Sequence, residues 1–397
     1  MDKKQTILVT GGAGYIGSIT VKSLISTGYN VVVVDSLENG HREAVDQEAI
    51  LEIANVGDMK AIGSIFNKYK PNAVIDFAAY LAVGESMVEP EKYFRNNVEN
   101  FINLLDAMVK NNCKLIIKSS TASVYGNPLN DNDFPLTENY IFKYKPEKSC
   151  LLPGKFAGQD TEGEEFFQKF IELYNRFIVN RTELKLSNEE LTTLRIPTSV
   201  YGLSKLLDEI IMKKYDSLFG LKSVTLRYFN VCGAMTNGNV GEDKPNPTTL
   251  MTVAISQIIG KRDKLEIFGN DYPTKDGTGI RDYIHVVDLA DGHIKALQFL
   301  LNNKTSETFN LGTGKGASVM EIVEAVEEAS HKKVNFVVCP RRSGDPVMSF
   351  ADAKKANSIL LWKTRHSIED MAESAWKWHS THPDGYNSKV TEDSVHS

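Results

Sequence analysis

The regular alternation of two kinds of segment most constrains what this chain can fold into. Short runs rich in β-branched residues predict buried strands, and they cover residues 6–11, 30–36, 73–79, 114–120 and 221–230. Between them, apolar residues recur at helical spacing, most clearly in 15–28 and in the longer run 93–111. This order of elements is typical of an α/β fold with a doubly wound parallel sheet.

The alternation changes at two places, which predicts the domain organisation. About 70 residues separate two copies of the tetrapeptide SVYG, which is far longer than an ordinary connection. We expect a largely helical insertion at about 130–196, packed on the surface, with a lid or partner-binding element as the alternative. The remaining ranges predict a dinucleotide-binding domain at 1–240, a smaller mixed α/β substrate lobe at 241–384 and a disordered tail at 385–397.

Composition and charge exclude several classes of protein. Among the 397 residues, 42% are hydrophobic and 24% charged, and no apolar run reaches the roughly 18 residues of a membrane span. The four cysteines lie far apart, which favours reduced thiols over disulfides or a zinc site. A formal net charge of −6 argues against nucleic acid and anionic membranes as partners. The first residues lack a secretory signal, so we expect a cytoplasmic protein. We also expect no metal.

A glycine-rich turn follows the first predicted strand. Gly11, Gly14 and Gly17 allow a tight turn, close approach of a pyrophosphate and close packing of the next helix, whose N-terminus would face the phosphates. Asp35 ends the second strand, eighteen residues after Gly17. A carboxylate there binds ribose hydroxyls and repels a 2′-phosphate, so the sequence predicts NAD rather than NADP.

The two copies of SVYG place a tyrosine at 125 and another at 201. Only Tyr201 is followed by a lysine one helical turn later, at Lys205. A nearby ammonium and an oxidised nicotinamide would favour the phenolate, which makes Tyr201 the predicted general base. Thr121 precedes the first copy and Ser123 begins it, at the carboxyl end of a predicted strand, and their hydroxyls can bind a substrate hydroxyl.

Several motifs together make the chain similar to the extended short-chain dehydrogenase/reductases, and within that superfamily to the UDP-glucose 4-epimerases. They are VTGGAGYIGS, AVGES, SSTASVYG, YGLSK, LRYFNVCGA, FNLGTG, RRSGDP and the long block 268–293. The resemblance covers nearly the whole chain apart from the insertion and the tail. It implies a Rossmann-type sheet, a tightly retained NAD+ cofactor, a UDP-hexose substrate and a homodimer.

The resemblance also implies roles for individual residues. The catalytic set is Tyr201, Lys205 and Thr121. The implied cofactor contacts are Gly11, Gly14, Tyr15, Ile16, Gly17, Asp35, Ser36, Asn55, Val56, Phe77, Ala78, Asn96, Ser119, Tyr201, Lys205 and Tyr228. The implied substrate contacts are Ser123, Asn230, Thr249, Leu250, Phe268, Arg281, Arg342, Asp345 and Ser349. In the implied reaction Tyr201 takes the proton of the sugar 4-hydroxyl while C4 gives its hydride to NAD+. The 4-keto sugar then rotates, and the hydride returns to its other face.

At four positions the chain departs from the family pattern. Leu81 stands where a lysine commonly contacts the cofactor, and Asn55 replaces an aspartate near the adenine. Thr249 takes the place of an asparagine that faces the diphosphate. Ser349 occupies a gatekeeper position, and a small residue there predicts that UDP-GlcNAc and UDP-GalNAc are also interconverted.

The same residues bear on other functions. A 4,6-dehydratase needs an acid pair after Thr121, and STAS provides none. A 4-epimerase of a UDP-uronate or UDP-pentose stays open. A non-catalytic NAD-binding regulator is the alternative from a different class, but it would not need the hydroxyl, tyrosine and lysine of a proton-transfer set.

Overall fold

The structure is a computed structural model that describes residues 4–126, 134–140, 197–244, 246–342 and 345–387. In these residues the strands are β1 Thr6–Thr10, β2 Asn30–Asp35, β3 Ile50–Ile53, β4 Ala73–Asp76, β5 Leu115–Thr121, β6 Lys222–Tyr228, β7 Asn230–Cys232, β8 Leu265–Phe268, β9 Ile280–His285, β10 Glu307–Leu311, β11 Gly316–Ser318, β12 Phe336–Cys339 and β13 Met348–Ser349. The α-helices are α1 Tyr15–Ser26, α2 Met59–Tyr69, α3 Val83–Val88, α4 Pro90–Tyr93, α5 Asn100–Lys110, α6 Val200–Phe219, α7 Leu250–Ile258, α8 Val286–Asn303, α9 Val319–Ser330 and α10 Ile368–Thr381.

The predicted doubly wound parallel sheet is confirmed. In the described part of the chain it has seven strands in the order β10-β6-β5-β4-β1-β2-β3, and every neighbouring pair is parallel. Strand β1 lies between β2 and β4, so the strand order reverses beside β1. Ligands of such sheets bind outside the carboxyl ends of the strands at this reversal.

Helices cover both faces of the large sheet, which explains why its central strands are apolar on both sides. On one face, residues of α1 and α8 pack on the sheet, including Val21 and Leu297. On the other face α2, α5 and α6 contribute Phe66, Leu104 and Met212. The five predicted strands are therefore confirmed, and the predicted helical runs 15–28 and 93–111 contain α1 and α5.

Two strands of the large sheet were not predicted. Strand β3 is an edge strand, and Ile50 and Ile53 are about half exposed, at 47% and 54%. Strand β10 contains Thr308 and Asn310, so it lacks a continuous apolar run. Because β10 pairs with β6, the large sheet includes a strand from beyond residue 240, and the predicted boundary does not separate this sheet from the following lobe.

A smaller lobe is built from β7, β9, β11 and β13, the pair β8 and β12, and helices α7, α9 and α10. Its own core includes Ile255, Ile322 and Met371. The predicted insertion falls outside the described residues except for 134–140, and the predicted tail falls outside them except for 385–387. Within the described ranges, no helix is long and apolar enough to cross a membrane, and no group of His, Cys, Asp and Glu could hold a metal ion.

Candidate active site

The glycine-rich turn between β1 and α1 forms a close-fitting cradle. Gly11 has a φ of 68°, and a Cβ atom there would lie 2.8 Å from the Ala78 nitrogen. A Cβ atom at Gly17 would lie 2.2 Å from the Gly11 carbonyl oxygen. Gly14 is the residue before the first turn of α1. The close-fitting turn and the N-terminus of α1 suit the pyrophosphate of a dinucleotide.

Asp35 joins the end of β2 to this cradle. Its Oδ2 accepts a hydrogen bond of 2.9 Å from the Ala13 nitrogen, and its Oδ1 accepts one of 2.9 Å from the Leu37 nitrogen. Each carboxylate oxygen keeps a second lone pair, so the group can also accept from ribose hydroxyls. Ser36 follows it and is exposed. This geometry fits the predicted role of Asp35 toward NAD.

The adenine end of the predicted cofactor path differs from expectation. Asn55 Oδ1 already accepts from the Gly57 nitrogen at 2.7 Å and from Asn100 Nδ2 at 3.4 Å. A bond from adenine would compete with these contacts for the two lone pairs of this oxygen. Val56 is half-buried beside it, and Leu81, at the position of the family's cofactor-contacting lysine, is 50% exposed.

The other predicted cofactor residues surround the strand ends. The Ser119 hydroxyl and the Tyr228 phenol form a short hydrogen bond, and the Phe77 ring lies 4.7 Å from the ring of His293. Asn96 Nδ2 donates to Asn97 Oδ1 at 3.1 Å. Tyr15 instead faces the smaller lobe, because its buried hydroxyl donates to the Gly233 carbonyl at 2.5 Å, and Ile16 packs on the core beneath it.

The second copy of SVYG begins the catalytic helix α6. The Ser199 hydroxyl accepts from the Gly202 nitrogen at 3.0 Å, which caps the helix and places Tyr201 in its first turn. One turn later the buried Lys205 Nζ donates to the Ser119 carbonyl at 3.1 Å. The Thr121 hydroxyl lies near enough to the Tyr201 phenol to lower the pKa of this phenol. The structure therefore brings Thr121, Tyr201 and Lys205 together at the carboxyl end of β5.

The charges at this site differ from the sequence-based expectation. Tyr201 is only partly buried, yet desolvation of its phenol raises its pKa to about 12, while Thr121 and then Lys118 lower it. Burial, followed by repulsion from Lys118, lowers the pKa of Lys205 to about 8. Sequence reasoning named Lys205 as the cation beside the phenol and missed Lys118.

The first copy of SVYG has a structural role. Tyr125 is fully buried, and its hydroxyl donates to Asn310 Oδ1 at 2.5 Å and accepts from Arg227 Nη1 at 3.2 Å. Burial raises the pKa of Tyr125 to about 12. Ser123 is close to Thr121, because the Thr121 hydroxyl donates to the Ser123 hydroxyl at 3.3 Å.

Five predicted substrate residues lie near one another in the smaller lobe. Arg281 Nη2 is 3.8 Å from Asp345 Oδ1, and Ser349 pairs with Arg281 between β13 and β9. The guanidinium of Arg342 lies 3.7 Å from the centroid of the Phe268 ring. The two arginines are therefore held by one carboxylate and one aromatic face, with planar donors that suit a diphosphate.

The remaining predicted substrate residues are oriented differently. The Thr249 hydroxyl donates at 2.5 Å to Oε2 of the buried Glu242, so this bond turns the hydroxyl toward the protein. Asn230 Nδ2 donates to the Asp282 carbonyl at 3.0 Å. Leu250 begins α7 and is half-buried.

Comparison with known proteins agrees with this fold and arrangement, which define a dinucleotide-dependent enzyme that acts on an activated sugar. Residues 7–149 match the NAD dependent epimerase/dehydratase family, and residues 182–375 match GDP-mannose 4,6 dehydratase. A UDP-glucose 4-epimerase of Lacticaseibacillus casei is 39% identical over 97% of this chain and 100% of its own length.

Two solved structures show the same fold over nearly the whole chain. UDP-glucose 4-epimerase from Bifidobacterium longum, in complex with NAD+ and UDP, is 33% identical with a TM-score of 0.77, and the alignment covers 96% of this chain and 100% of that one. The UDP-Glc/GlcNAc 4-epimerase from Campylobacter jejuni is 32% identical with a TM-score of 0.71, covering 95% and 99%. The chain belongs to the UDP-glucose 4-epimerase family, whose members are NAD-dependent isomerases.

Proposed function

We propose that the protein interconverts UDP-glucose and UDP-galactose at C4 through a 4-keto intermediate, with Tyr201 as the proton-transfer group. The observation that carries this proposal is the grouping of Thr121, Tyr201 and Lys205 at the end of β5. That end lies beside the glycine cradle, because β5 pairs with β4 and β4 pairs with β1.

Tyr201, Thr121 and Lys205 have different roles in the proposed reaction. Tyr201 accepts the proton of the sugar 4-hydroxyl and later returns it, and the Thr121 hydroxyl orients the reacting oxygen. Lys205, tied to the Ser119 carbonyl, fixes the helix and offers its remaining hydrogens to a ribose. Because burial keeps the phenol protonated at neutral pH, Tyr201 needs additional positive charge. Oxidised NAD supplies that charge and accepts and returns the hydride when bound.

We assign the binding of UDP to residues of the smaller lobe. Arg281 and Arg342 provide planar donors for the diphosphate, with Asp345 and Phe268 holding them in place. Asn230 and Leu250 complete the proposed set. Thr249 contributes through the position of α7 rather than through its hydroxyl, which is bonded to Glu242. Firm binding of UDP and weaker binding of the sugar allow the keto sugar to rotate.

The pocket size implied by Ser349 supports N-acetylated substrates as well. Ser349 lies directly beside Arg281 in the sheet, and its small side chain leaves room for a 2-acetamido group. The relative from Campylobacter jejuni is itself a UDP-Glc/GlcNAc 4-epimerase. Ser349→Tyr should lower turnover of UDP-GalNAc far more than that of UDP-galactose. Equal effects on both sugars would contradict this assignment.

The test of the proposed function is product analysis after incubation of the NAD-loaded protein with UDP-galactose. We expect UDP-glucose from the wild type and a loss of about 10² to 10⁴ in rate for Tyr201→Phe. UDP-xylose and UDP-glucuronate in the same assay separate the pentose and uronate alternatives. Equal turnover by wild type and variant would exclude Tyr201, and binding of NAD without turnover of any sugar would indicate a regulator.

The homodimer implied by the resemblance and the cytoplasmic location expected from the first residues stay predictions. Sedimentation of the NAD-loaded protein at micromolar concentration checks the first, with a mass of twice 44.2 kDa as the expected result.

A further inference from the structure

A buried charge cluster lies beneath the catalytic helix and belongs to none of the sequence motifs. Lys118 Nζ is 2.6 Å from Asp76 Oδ2 and 2.9 Å from Asp208 Oδ2, and all three side chains are 2% exposed or less. The Phe101 ring covers the ammonium at 3.8 Å. The cluster connects β4, β5 and α6, with Asp76 and Lys118 in register on adjacent strands.

The same two elements carry the proposed catalytic residues. On α6, Asp208 lies on the same face as Tyr201 and Lys205, about two turns after Tyr201 and about one turn after Lys205. On β5, Lys118 directly precedes Ser119, whose carbonyl accepts the hydrogen bond of Lys205. Movement of the cluster would therefore move both sides of the catalytic arrangement.

The two carboxylates of the cluster differ in their surroundings. Asp76 Oδ1 accepts from the Thr10 hydroxyl and from the Ala78 nitrogen, so it has partners besides Lys118. Asp208 Oδ1 is buried without a hydrogen-bond partner among the described residues. Burying a carboxylate oxygen without a hydrogen-bond partner is costly, and a buried ion pair is weak evidence for stability. This cost points to an electrostatic role for Asp208.

We propose that Lys118 and Asp208 are positioning residues, which hold α6 against β5 and set the electrostatic field at Tyr201 through opposite charges. The proposal rests on the proposed function of Tyr201. It assigns a role in the reaction to two buried side chains that belong to none of the predicted catalytic, cofactor or substrate sets.

The charges around the catalytic pair act in opposite directions. Against the dominant effect of burial, which raises the pKa of Tyr201, Lys118 lowers this pKa and Asp208 raises it. Burial and Lys118 lower the pKa of Lys205, and Asp208, Asp76 and Glu209 raise it.

Two more phenols face Tyr201 from neighbouring elements, Tyr228 on β6 and Tyr93 on α4. Since burial raises the pKa of both phenols, they stay neutral at the pH of the assay. Lys118 and Asp208 are thus the charges whose removal should shift the pKa of Tyr201 most directly.

The test compares pH profiles of kcat/KM for UDP-galactose, measured with NAD-loaded wild type, Asp208→Asn and Lys118→Met. Asp208→Asn should move the acidic limb to lower pH by about half a unit or more, and Lys118→Met should move it to higher pH. Asp216→Asn, two turns further along α6 and paired with Lys222, is the control and should leave the profile unchanged. A lower rate with an unshifted profile would reduce the cluster to a structural role and overturn the proposal.

Asp208→Asn keeps the pair between Lys118 and Asp76, so this variant decides the matter if Lys118→Met does not fold. A second readout is independent of turnover: NMR of protein labelled with ¹³C at tyrosine Cζ, with Tyr201→Phe identifying the Tyr201 signal. The Tyr201 signal should titrate at lower pH in Asp208→Asn than in wild type, and identical titrations would overturn the proposal. Absence of epimerase activity in the wild type would instead contradict the proposed function, and the NMR titration would still test the field.

Discussion

The Tyr80 phenol lies 2.8 and 2.9 Å from the two carboxylate oxygens of Glu38, to which it donates its hydrogen bond. Glu38 follows β2 and Tyr80 follows β4, on opposite sides of the glycine cradle that follows β1. The bond thus fastens two loops across the predicted path of the dinucleotide. Lys92 lies 4.5 Å from the centroid of the Tyr80 ring and supports the phenol from the outside.

Tyr80→Phe should speed the release of NAD. Loss of one hydrogen bond to a partly exposed carboxylate is worth about 1 kcal/mol, which corresponds to about a fivefold faster dissociation. The measurement is the rate at which NAD leaves the loaded protein after dilution. Glu38→Gln keeps an acceptor and is the matched control with a smaller effect. An unchanged release rate in Tyr80→Phe would show that the loops do not retain the cofactor.

Acid should destabilise the protein through its buried histidines. Burial lowers the pKa of His293 to about 4, and its Nε2 has no hydrogen-bond partner among the described residues. Burial, and then His366, lowers the pKa of His285 to about 4. Between pH 6.5 and 4 the unfolded chain binds protons that the folded chain excludes, so stability falls as pH falls through this range.

His293→Phe should remove part of that pH dependence. A single histidine with this shift costs about 2 kcal/mol of stability at pH 5 relative to neutral pH. The readout is the difference between the unfolding free energies at pH 7.5 and 5, measured with urea, rather than the absolute stability. His331→Asn, at an exposed position after α9, is the control. The prediction would be contradicted if the unfolding free energy changed between pH 7.5 and 5 by the same amount in His293→Phe as in the wild type.

The buried pair of Arg227 and Glu209 should be essential for stability. Arg227 Nη2 lies 2.5 Å from Glu209 Oε2, Nε donates to Oε1 at 3.0 Å, and Nη1 donates to the Glu138 carbonyl. Arg227→Met leaves a buried carboxylate without its cation, which costs about 3 to 5 kcal/mol. Arg95→Met removes exposed pairs with Glu91 and Glu99 and should cost about 1 kcal/mol or less. Denaturant unfolding compares the two variants, and similar losses would refute the distinction.

The fold was predictable where residues that are close in sequence determine it. Strands buried on both faces are continuous β-branched runs, whereas β3 is exposed at an edge and β10 is partly polar, so neither gave a signal. The glycine turn, Asp35 and the spacing of Tyr201 and Lys205 were visible because each is a local pattern.

The missed parts of the site depend on contacts between distant segments. Lys118 lies inside a β-branched run, and its partners Asp76 and Asp208 come from other elements, so no local spacing marks the cluster. The same holds for the bond between Glu38 and Tyr80. The Thr249 hydroxyl was expected near the diphosphate because Thr249 takes the place of the family's asparagine. The motif does not show that this hydroxyl bonds to Glu242 instead.

Isotope transfer from UDP-galactose deuterated at C4 tests the central claim most directly. In this account Tyr201 moves only the hydroxyl proton, and the hydrogen on C4 is removed and returned within the site. UDP-glucose should therefore keep the deuterium at C4. Mass spectrometry and NMR of the product report the label. Loss of deuterium to the solvent during turnover would contradict the account.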